Sequence, residues 1–330
     1  MKQSVAAVVV TYNRARLLLE CLDGLLRQSH PVDKIILIDN ASSDDTAKQL
    51  NSRGYLNHQK IDYHRLPVNS GGAGGFYTGM KVAFDAGYDW LWVMDDDAEP
   101  HPDALEKMLP SMRQSGVAGV ANLTVGFDGE AQIEHRGWLR LRSTKWRAHY
   151  AIDGKALPER MEITFASFVG IAVHRSAVER IGLPKPELFI KGDDLEYCVR
   201  LAALGPIILV PGSKIIHKEG QNSNYHPIRR FGMQSMRLPL DRLWLTYFPL
   251  RNLVWIRRHH CGSGLAAGFA ARVFLRIVFG ILVFDSNHRW VRLKFYWNAI
   301  TDAWGGTFDN DKPRRLTGVL PPTIKRQPAS

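Results

Sequence analysis

Three consecutive aspartates, Asp95-Asp96-Asp97, close a short apolar run, Trp90-Leu91-Trp92-Val93-Met94. An apolar strand that ends on carboxylates sets acidic side chains at a sheet edge, where open α/β folds bind ligands. Side chains alternate along a strand, so Asp95 and Asp97 are expected on one face and Asp96 on the other. Two hard oxygen ligands on one face suit a divalent cation that also holds phosphate. A solvated acidic turn is the plainer alternative, since turns favour aspartate.

Two more segments carry titratable groups. In Phe189-Ile190-Lys191-Gly192-Asp193-Asp194-Leu195-Glu196, Asp193 and Glu196 have the spacing of a helix capping box. That gives Asp193 a structural role and leaves Asp194 the freer general base. His217 ends the strand-like run Lys214-Ile215-Ile216. A lone histidine is usually an ordinary polar residue, but an Asp-x-Asp site often takes one more ligand of this kind from elsewhere in the chain. Thr11-Tyr12-Asn13-Arg14 follows the first apolar run and Asp39 ends the second, at the edge where such sheets bind nucleotides. A carboxylate there can accept the N3–H of uracil, and Arg14 can lie beside the base. Asn69-Ser70-Gly71-Gly72-Ala73-Gly74-Gly75-Phe76 reads as a glycine loop opening a helix. Such a loop lets backbone N–H groups approach an anion, or is simply a tight connection. It is neither a dinucleotide fingerprint nor a P-loop. Tyr247-Phe248-Pro249-Leu250-Arg251-Asn252 mixes arginine with aromatics, which can clamp phosphate, although core packing is the readier explanation.

The elements that position these residues alternate. Strands are expected at Val5–Val10, Lys34–Ile38, Ile61–Leu66 and up to Asp95, with helices at Ala15–Leu26, after Ser42-Ser43-Asp44-Asp45, from about Phe76 to Ala86, and at Pro102–Gln114. That order implies a mainly parallel sheet covered on both faces. Regularity weakens over Gly126–Leu157. It returns at Phe165–Val173, in a helix at Leu195–Leu204 and in strands at Pro206–Val210 and Lys214–His217. The tail from Pro321 is expected to fray.

The 330 residues are 45% hydrophobic and 23% charged, enough to bury a core and contrary to wholesale disorder. The start, Met1-Lys2-Gln3-Ser4, leads straight into a strand-like run, with no signal-type cleavage site. Three scattered cysteines, Cys21, Cys198 and Cys261, suggest reduced thiols in the cytosol. Residues 225–330 hold 17 Lys/Arg against 5 Asp/Glu, a net +12, while residues 1–224 hold 26 against 27, a net −1. The excess charge therefore marks an anionic partner for the last third: nucleic acid, a phospholipid surface or a phosphate-bearing substrate. Leu265–Phe284 is apolar over about a membrane-spanning length. Arg272 and Arg276 on one of its faces argue for an interfacial or packed helix over a spanning one.

Taken together and in order, Thr11 to Arg14, Asp39-Asn40, Asn69 to Phe76, Met94 to Asp97, Phe189 to Glu196 and His217 resemble family 2 glycosyltransferases. The glycine segment, the triple aspartate and Phe-Ile-Lys-x-Asp-Asp look most like bacterial galactofuranosyltransferases. The resemblance covers the first two thirds of the chain. It implies a GT-A fold: a Rossmann-like, mainly parallel sheet flanked by helices over residues 1–222, followed by a basic, aromatic-rich helical region at 223–330 for acceptor or membrane contact. It implies an inverting transfer from UDP-galactofuranose to a glycan or polyprenyl-diphosphate-linked acceptor, dependent on Mn²⁺ or Mg²⁺. Residue by residue, Asp39 would contact uracil, Asp95 the ribose or the metal, and Asp97 and His217 the metal. Asp194 would be the base, with Asp193 beside it. Thr11, Asn13, Arg14, Asn69, Gly71, Gly72, Gly74, Gly75 and Asp96 complete the expected donor site. Gly192 stands where related enzymes often carry a tryptophan that shapes the acceptor pocket. The expected setting is the cytoplasm, peripheral on the inner face of an anionic plasma membrane, with no nucleic acid partner. Other readings are a rhamnosyl or other hexosyl transferase of the same family and a non-catalytic membrane-surface module. A nucleotidyltransferase would need a Gly-x-Gly-Thr-Arg loop where Tyr12-Asn13-Arg14 stands.

Overall fold

Val5–Thr11, a run of Val and Ala, is buried at every position and forms β1 at the centre of a parallel core. The chain then runs α1 (Ala15–Leu26), β2 (Lys34–Asp39), α2 (Thr46–Ser52), β3 (Ile61–Arg65), α3 (Gly71–Asp85), β4 (Trp90–Asp95), β5 (Ala98–Pro100), α4 (Ala104–Met112) and β6 (Gly119–Val125). Short strands β7 (Arg136–Leu139), β8 (His149–Ala151), β9 (Met161–Ile163) and β10 (Phe165–Ala166) occupy the region of weak pattern, with β10, β7 and β8 forming their own small sheet. β11 (Ile171–His174), α5 (Arg175–Ile181), α6 (Asp193–Leu201) and β12 (Ile207–His217) follow. The computed structural model describes residues 3–155, 157–218 and 225–318; the boundary expected at 222 and the tail from Pro321 lie outside them.

The main sheet has the order β3-β2-β1-β4-β11-β6-β12-β5, with β9 also paired to β12. β3, β2, β1 and β4 are mutually parallel, so the ends of β1, β2 and β4 meet at one edge. Beyond β4 the sheet is mixed: β11 is antiparallel to β4 and β6, while β12 is parallel to β6. The regular stretch at Phe165–Val173 holds two strands, β10 and β11. The two strands expected at Pro206–Val210 and Lys214–His217 are one strand with a register shift between Val210 and Lys214.

Two glycines set the distance of α3 from the sheet. A Cβ on Gly75 would run into Val10 Cγ1, and one on Gly79 would lie 2.5 Å from Val8 Cγ1. Close packing on β1 is therefore what these positions require.

The chain divides into two compact units, Met1–Arg140 with Arg147–Gly220, and Leu141–Trp146 with Gln221–Ser330. The second holds a hairpin, β13 (His226–Arg230) and β14 (Met233–Arg237), then α7 (Tyr247–Cys261), α8 (Ser263–Phe284), α9 (Arg289–Gly305) and α10 (Lys312–Thr317). Arg251 and Arg257 of α7 are fully buried. Arg251 hydrogen-bonds Asn252 and Asn310. Arg257 donates to the carbonyls of Ser143, Lys145 and Leu253 and lies 3.8 Å over the Phe269 ring. Tyr247 and Phe248 are thus core residues, as the plainer reading of that segment expected, and Arg251 is buried with them. By length and composition α8 could cross a membrane. It packs Phe269, Val273, Ile281 and Phe284 inward, while Leu275, Phe279 and Leu282 are 69%, 54% and 55% exposed.

Candidate active site

β4 stops at Asp95, and the alternation of faces stops with it. Asp96 does not turn away from Asp97, contrary to the strand-based expectation. Arg14 Nη1 reaches Asp97 Oδ2 at 2.9 Å and Asp96 Oδ1 at 3.4 Å, and Thr11 Oγ1 donates to Asp96 Oδ2 at 2.6 Å. Thr11 is itself buried, so it orients Asp96 and presents nothing to a ligand. Burial, then the charges of Asp97 and Asp96, hold the Asp95 carboxyl well above the ordinary carboxylate range. Burial also raises Asp96, to about 6, against the pull of Arg14 and Thr11. Carboxylates crowded in this way store an electrostatic cost that a cation relieves.

The pairing of β5 with β12 brings in the histidine. His217 stands opposite Ala98, and Lys218 N donates to Asp97 O at 3.0 Å, so Asp97 and His217 meet although 120 residues separate them in sequence. His217 Nε2 lies 3.5 Å from Asp97 Oδ1. Its Nδ1 is 2.8 Å from Gln132 Oε1, whose amide nitrogen in turn donates to His217 O at 3.3 Å. A carboxamide oxygen only accepts, so Nδ1 donates to Gln132 and Nε2 is the ring nitrogen that faces the carboxylate. His135 packs edge-on against the His217 ring at 4.8 Å; burial and His217 push its own pKa down to about 3.

A carboxylate oxygen and a ring nitrogen at that separation could share one cation, and the Gln132 contact would hold the ring in place for it. The donor set fits a divalent cation that takes its remaining ligands from a substrate diphosphate and water. Among the described residues no three His, Cys, Asp or Glu side chains close around one point. The strand ends at Asp95, and Asp97 belongs to the turn into β5.

At the start of α6 the capping box is absent. Gly192 is the N-cap, at φ 99°, and Glu196 spends its carboxylate on Arg200 at 2.7–3.0 Å. A left-handed backbone accounts for glycine at this position, where a tryptophan would be strained. Asp193 and Asp194 thus both stand in the first turn of α6. Burial and the charge of Asp194 raise Asp193, and burial raises Asp194 to about 6, opposed by backbone N–H groups and by Arg136. Leu195 N donates to Asp194 Oδ1 at 2.7 Å. Asp193 is near enough to Asp95 to oppose its ionisation, which links this pair to the end of β4.

The donor side departs from expectation in two places. Asp39 is fully enclosed: Oδ1 accepts from Ser42 N at 2.7 Å and Oδ2 from Tyr63 Oη at 2.7 Å. It fixes the turn after β2 and has no edge to offer uracil. The glycine segment is not a loop, since α3 already begins at Gly71. Asn69 Oδ1 accepts from Gly71 N and Phe189 O from Ala73 N, so two of the helix's open N–H groups are taken by protein. Gly71 lets the Phe189 carbonyl approach, Gly74 makes room for Ser70, and Gly72 alone would meet nothing. Asn13, at φ 55°, accepts from Ser43 N at 2.7 Å and Asp44 N at 3.2 Å and so braces the loop ahead of α2. α2 itself begins at Thr46, whose N–H is taken by Asp44.

Three positioning residues escape the sequence reading. Gln132 orients His217. Asn40 is buried and bonds Ser70 N and Gly71 O, tying β2 to α3. Arg136 is fully buried, donates to the carbonyls of Asn122, His135, Val169 and Gly170, and lies in the field of Asp194. Asn40 stood within a recognised motif; Gln132 and Arg136 had no pattern around them.

The model of glycosyl transferase family 2 matches residues 6–182, more than half the chain, from within β1 to the end of α5. The chain belongs to that family. Galactofuranosyltransferase GlfT1 of Mycolicibacterium smegmatis is 31% identical over 207 residues, covering 61% of this chain. The chain spans 66% of the length of that relative. The dTDP-rhamnosyl transferase RfbF of Shigella flexneri is 21% identical over 262 residues, covering 79% of this chain and 82% of RfbF. Among solved structures, GalNAc-T7 with UDP, GalNAc and Mn²⁺ has the same fold at a TM-score of 0.58 and 14% identity, over 93% of this chain and 58% of that one. The family 2 enzyme is thus a glycosyltransferase of GT-A fold, most like galactofuranosyltransferases.

Proposed function

We propose that this glycosyltransferase moves galactofuranose from UDP-galactofuranose, with inversion, to a glycan or a polyprenyl-diphosphate-linked glycan. The observation that carries the reading is His217 Nε2 turned toward Asp97 Oδ1 at 3.5 Å, at the edge that also holds Asp95. Asp97 and His217 would hold Mn²⁺ or Mg²⁺, which when bound supplies Lewis-acid stabilisation of the departing diphosphate. Arg14, held by Asp96 and Asp97, adds positive charge on the same side. Asp194 accepts the proton of the acceptor hydroxyl as its oxygen bonds to the anomeric carbon and the bond to UDP breaks. Burial and the mutual repulsion of Asp193 and Asp194 raise both, so the pair favours holding one shared proton beside one negative charge. The sugar centre passes through an oxocarbenium-like state. The donor sugar follows the 31% identity to a galactofuranosyltransferase, and the weaker likeness to RfbF makes rhamnose the second reading. The exposed Leu275, Phe279, Leu282, Trp290 and Trp297 beside a net +12 support a peripheral site on the cytoplasmic face of an anionic membrane.

The test is nucleotide release from UDP-galactofuranose and dTDP-rhamnose in parallel, with and without EDTA. Turnover of UDP-galactofuranose that EDTA abolishes and Mn²⁺ restores is expected. A preference for dTDP-rhamnose would correct the sugar, and full turnover in EDTA would sink the metal assignment.

A further inference from the structure

The second unit contains a cavity of about 450 Å³ that the transfer chemistry does not use. Its walls come from β14, α7, α8, α9 and the Leu141–Trp146 segment, all within that unit. Arg237, Arg272 and Arg276 line it, with Tyr296 and Trp146, and Val273 and Ile277 make an apolar side. Arg237 is ion-paired with Asp285, and Arg292 lies 3.6 Å from the same carboxylate. One negative charge thus answers two guanidiniums there. Among the described residues Arg272 and Arg276 have neither an ion pair nor a hydrogen bond. The cavity and its immediate support therefore carry three uncompensated positive charges. Arg272 and Arg276 are exposed at the hollow, so water screens them, and the positive field that remains favours an anion there.

The surroundings select the kind of anion. On α8, Leu275 and Phe279 follow Arg272 and Arg276 by three residues each, so each arginine has an exposed apolar neighbour on the adjoining strip of the helix. A free anion has no use for that strip; an amphiphile does, laying its chain along it while its head turns inward. A diphosphate diester carries two negative charges and a phospholipid phosphodiester one, so the diphosphate answers more of the cavity's charge. The indole of Trp146 and the hydroxyl of Tyr296, which is 3.2 Å from Thr246 Oγ1, give the cavity both an aromatic wall and a polar one.

We propose that this cavity binds the diphosphate head of an isoprenoid-type lipid, with the first part of its chain lying on the exposed strip of α8. The inference rests on the reading of a lipid-linked acceptor and locates its anchor in the second unit, apart from the residues assigned to transfer.

The experiment is isothermal titration of the full-length protein with farnesyl diphosphate below its aggregation concentration. Inorganic diphosphate, farnesol, UDP and phosphatidylglycerol vesicles serve as comparators. Farnesyl diphosphate is expected to bind at least ten-fold tighter than inorganic diphosphate or farnesol, and UDP in excess is expected to leave that binding unchanged. R272Q/R276Q should weaken it at least ten-fold while the UDP titration stays as in the parent. R272K/R276K should remain within about three-fold of the parent. Unchanged binding by R272Q/R276Q, displacement by UDP, equal affinity for inorganic diphosphate, or equal competition by phosphatidylglycerol vesicles would each overturn the proposal. Farnesyl diphosphate binding that persists in a protein unable to bind UDP would uphold the cavity and remove the donor reading instead.

Discussion

The two units bury charge in opposite ways. At the strand ends of the first, Asp95, Asp96, Asp193 and Asp194 are all raised in pKa by burial, and Arg14 is the cation that meets two of the carboxylates there. In α7 of the second, Arg251 and Arg257 are as deeply buried, yet each is surrounded by oxygens and aromatic rings that match it. A buried charge whose neighbours already satisfy it holds a structure together. Charges of one sign crowded together mark where something from outside brings the other sign. By that measure the carboxylate edge of the first unit and the arginine-lined cavity of the second belong to one class, and the α7 arginines to the other.

The contrast breaks most sharply at Asp97. Asp97→Ala should lower transfer by about 10⁴-fold if it holds the cation, while raising the melting temperature of the chelated protein by thinning the carboxylates; a drop in both would make Asp97 structural. Asp194→Asn should lower kcat by about 10²- to 10³-fold with UDP affinity unchanged. In the parent, kcat should fall as pH drops below about 6, where Asp194 takes up its proton. Stability has the opposite sign. Folded-state pKa values raised above the unfolded ones favour the fold below about pH 4 and lose that contribution as pH rises through about 6. The chelated enzyme should therefore melt lower at pH 8 than at pH 5, and Mn²⁺ should narrow the gap. A pH-independent melting temperature would contradict the crowding. Gln132→Ala should cost about ten- to a hundred-fold in Mn²⁺ affinity, read by titration. The smallest effects concern packing. Gly75→Ala should destabilise by about 1–3 kcal/mol through Val10, and Arg257→Met by about 1–3 kcal/mol through the carbonyls it leaves unpaired, both read by denaturant midpoint.

What was legible in the sequence follows the same physics. β1, α1 and β4 could be read closely because apolar runs and turn residues mark their ends, and α1 spans Ala15–Leu26 as expected. The strand order beyond β4 could not, since β11 enters between β4 and β6 through contacts far apart in the chain. Of the site, the meeting of Asp97 with His217 was expected from the family resemblance, with the Asp-x-Asp chemistry in its favour. Asp39 was misread because a carboxylate at a strand end looks the same whether it faces a base or its own turn. Asp96 was misread because alternation was carried past the last strand residue. The glycine segment left anion approach and tight packing open, and most of its glycines make room for Val10, Ser70 and the Phe189 carbonyl.

The hexapeptide Leu141–Trp146 belongs to the second unit, yet the chain returns to the first on either side of it. Its carbonyls at Ser143 and Lys145 cap the Arg257 guanidinium, and its Trp146 ring stacks over Phe269 at 6.2 Å. No single cut separates the units cleanly. A chain ended near residue 220 would keep a tryptophan without its stacking partner, and residues 221–330 expressed alone would leave a buried arginine short of two acceptors. During synthesis, six residues of the second unit are made some eighty positions before the rest, with the remainder of the first unit threaded between them.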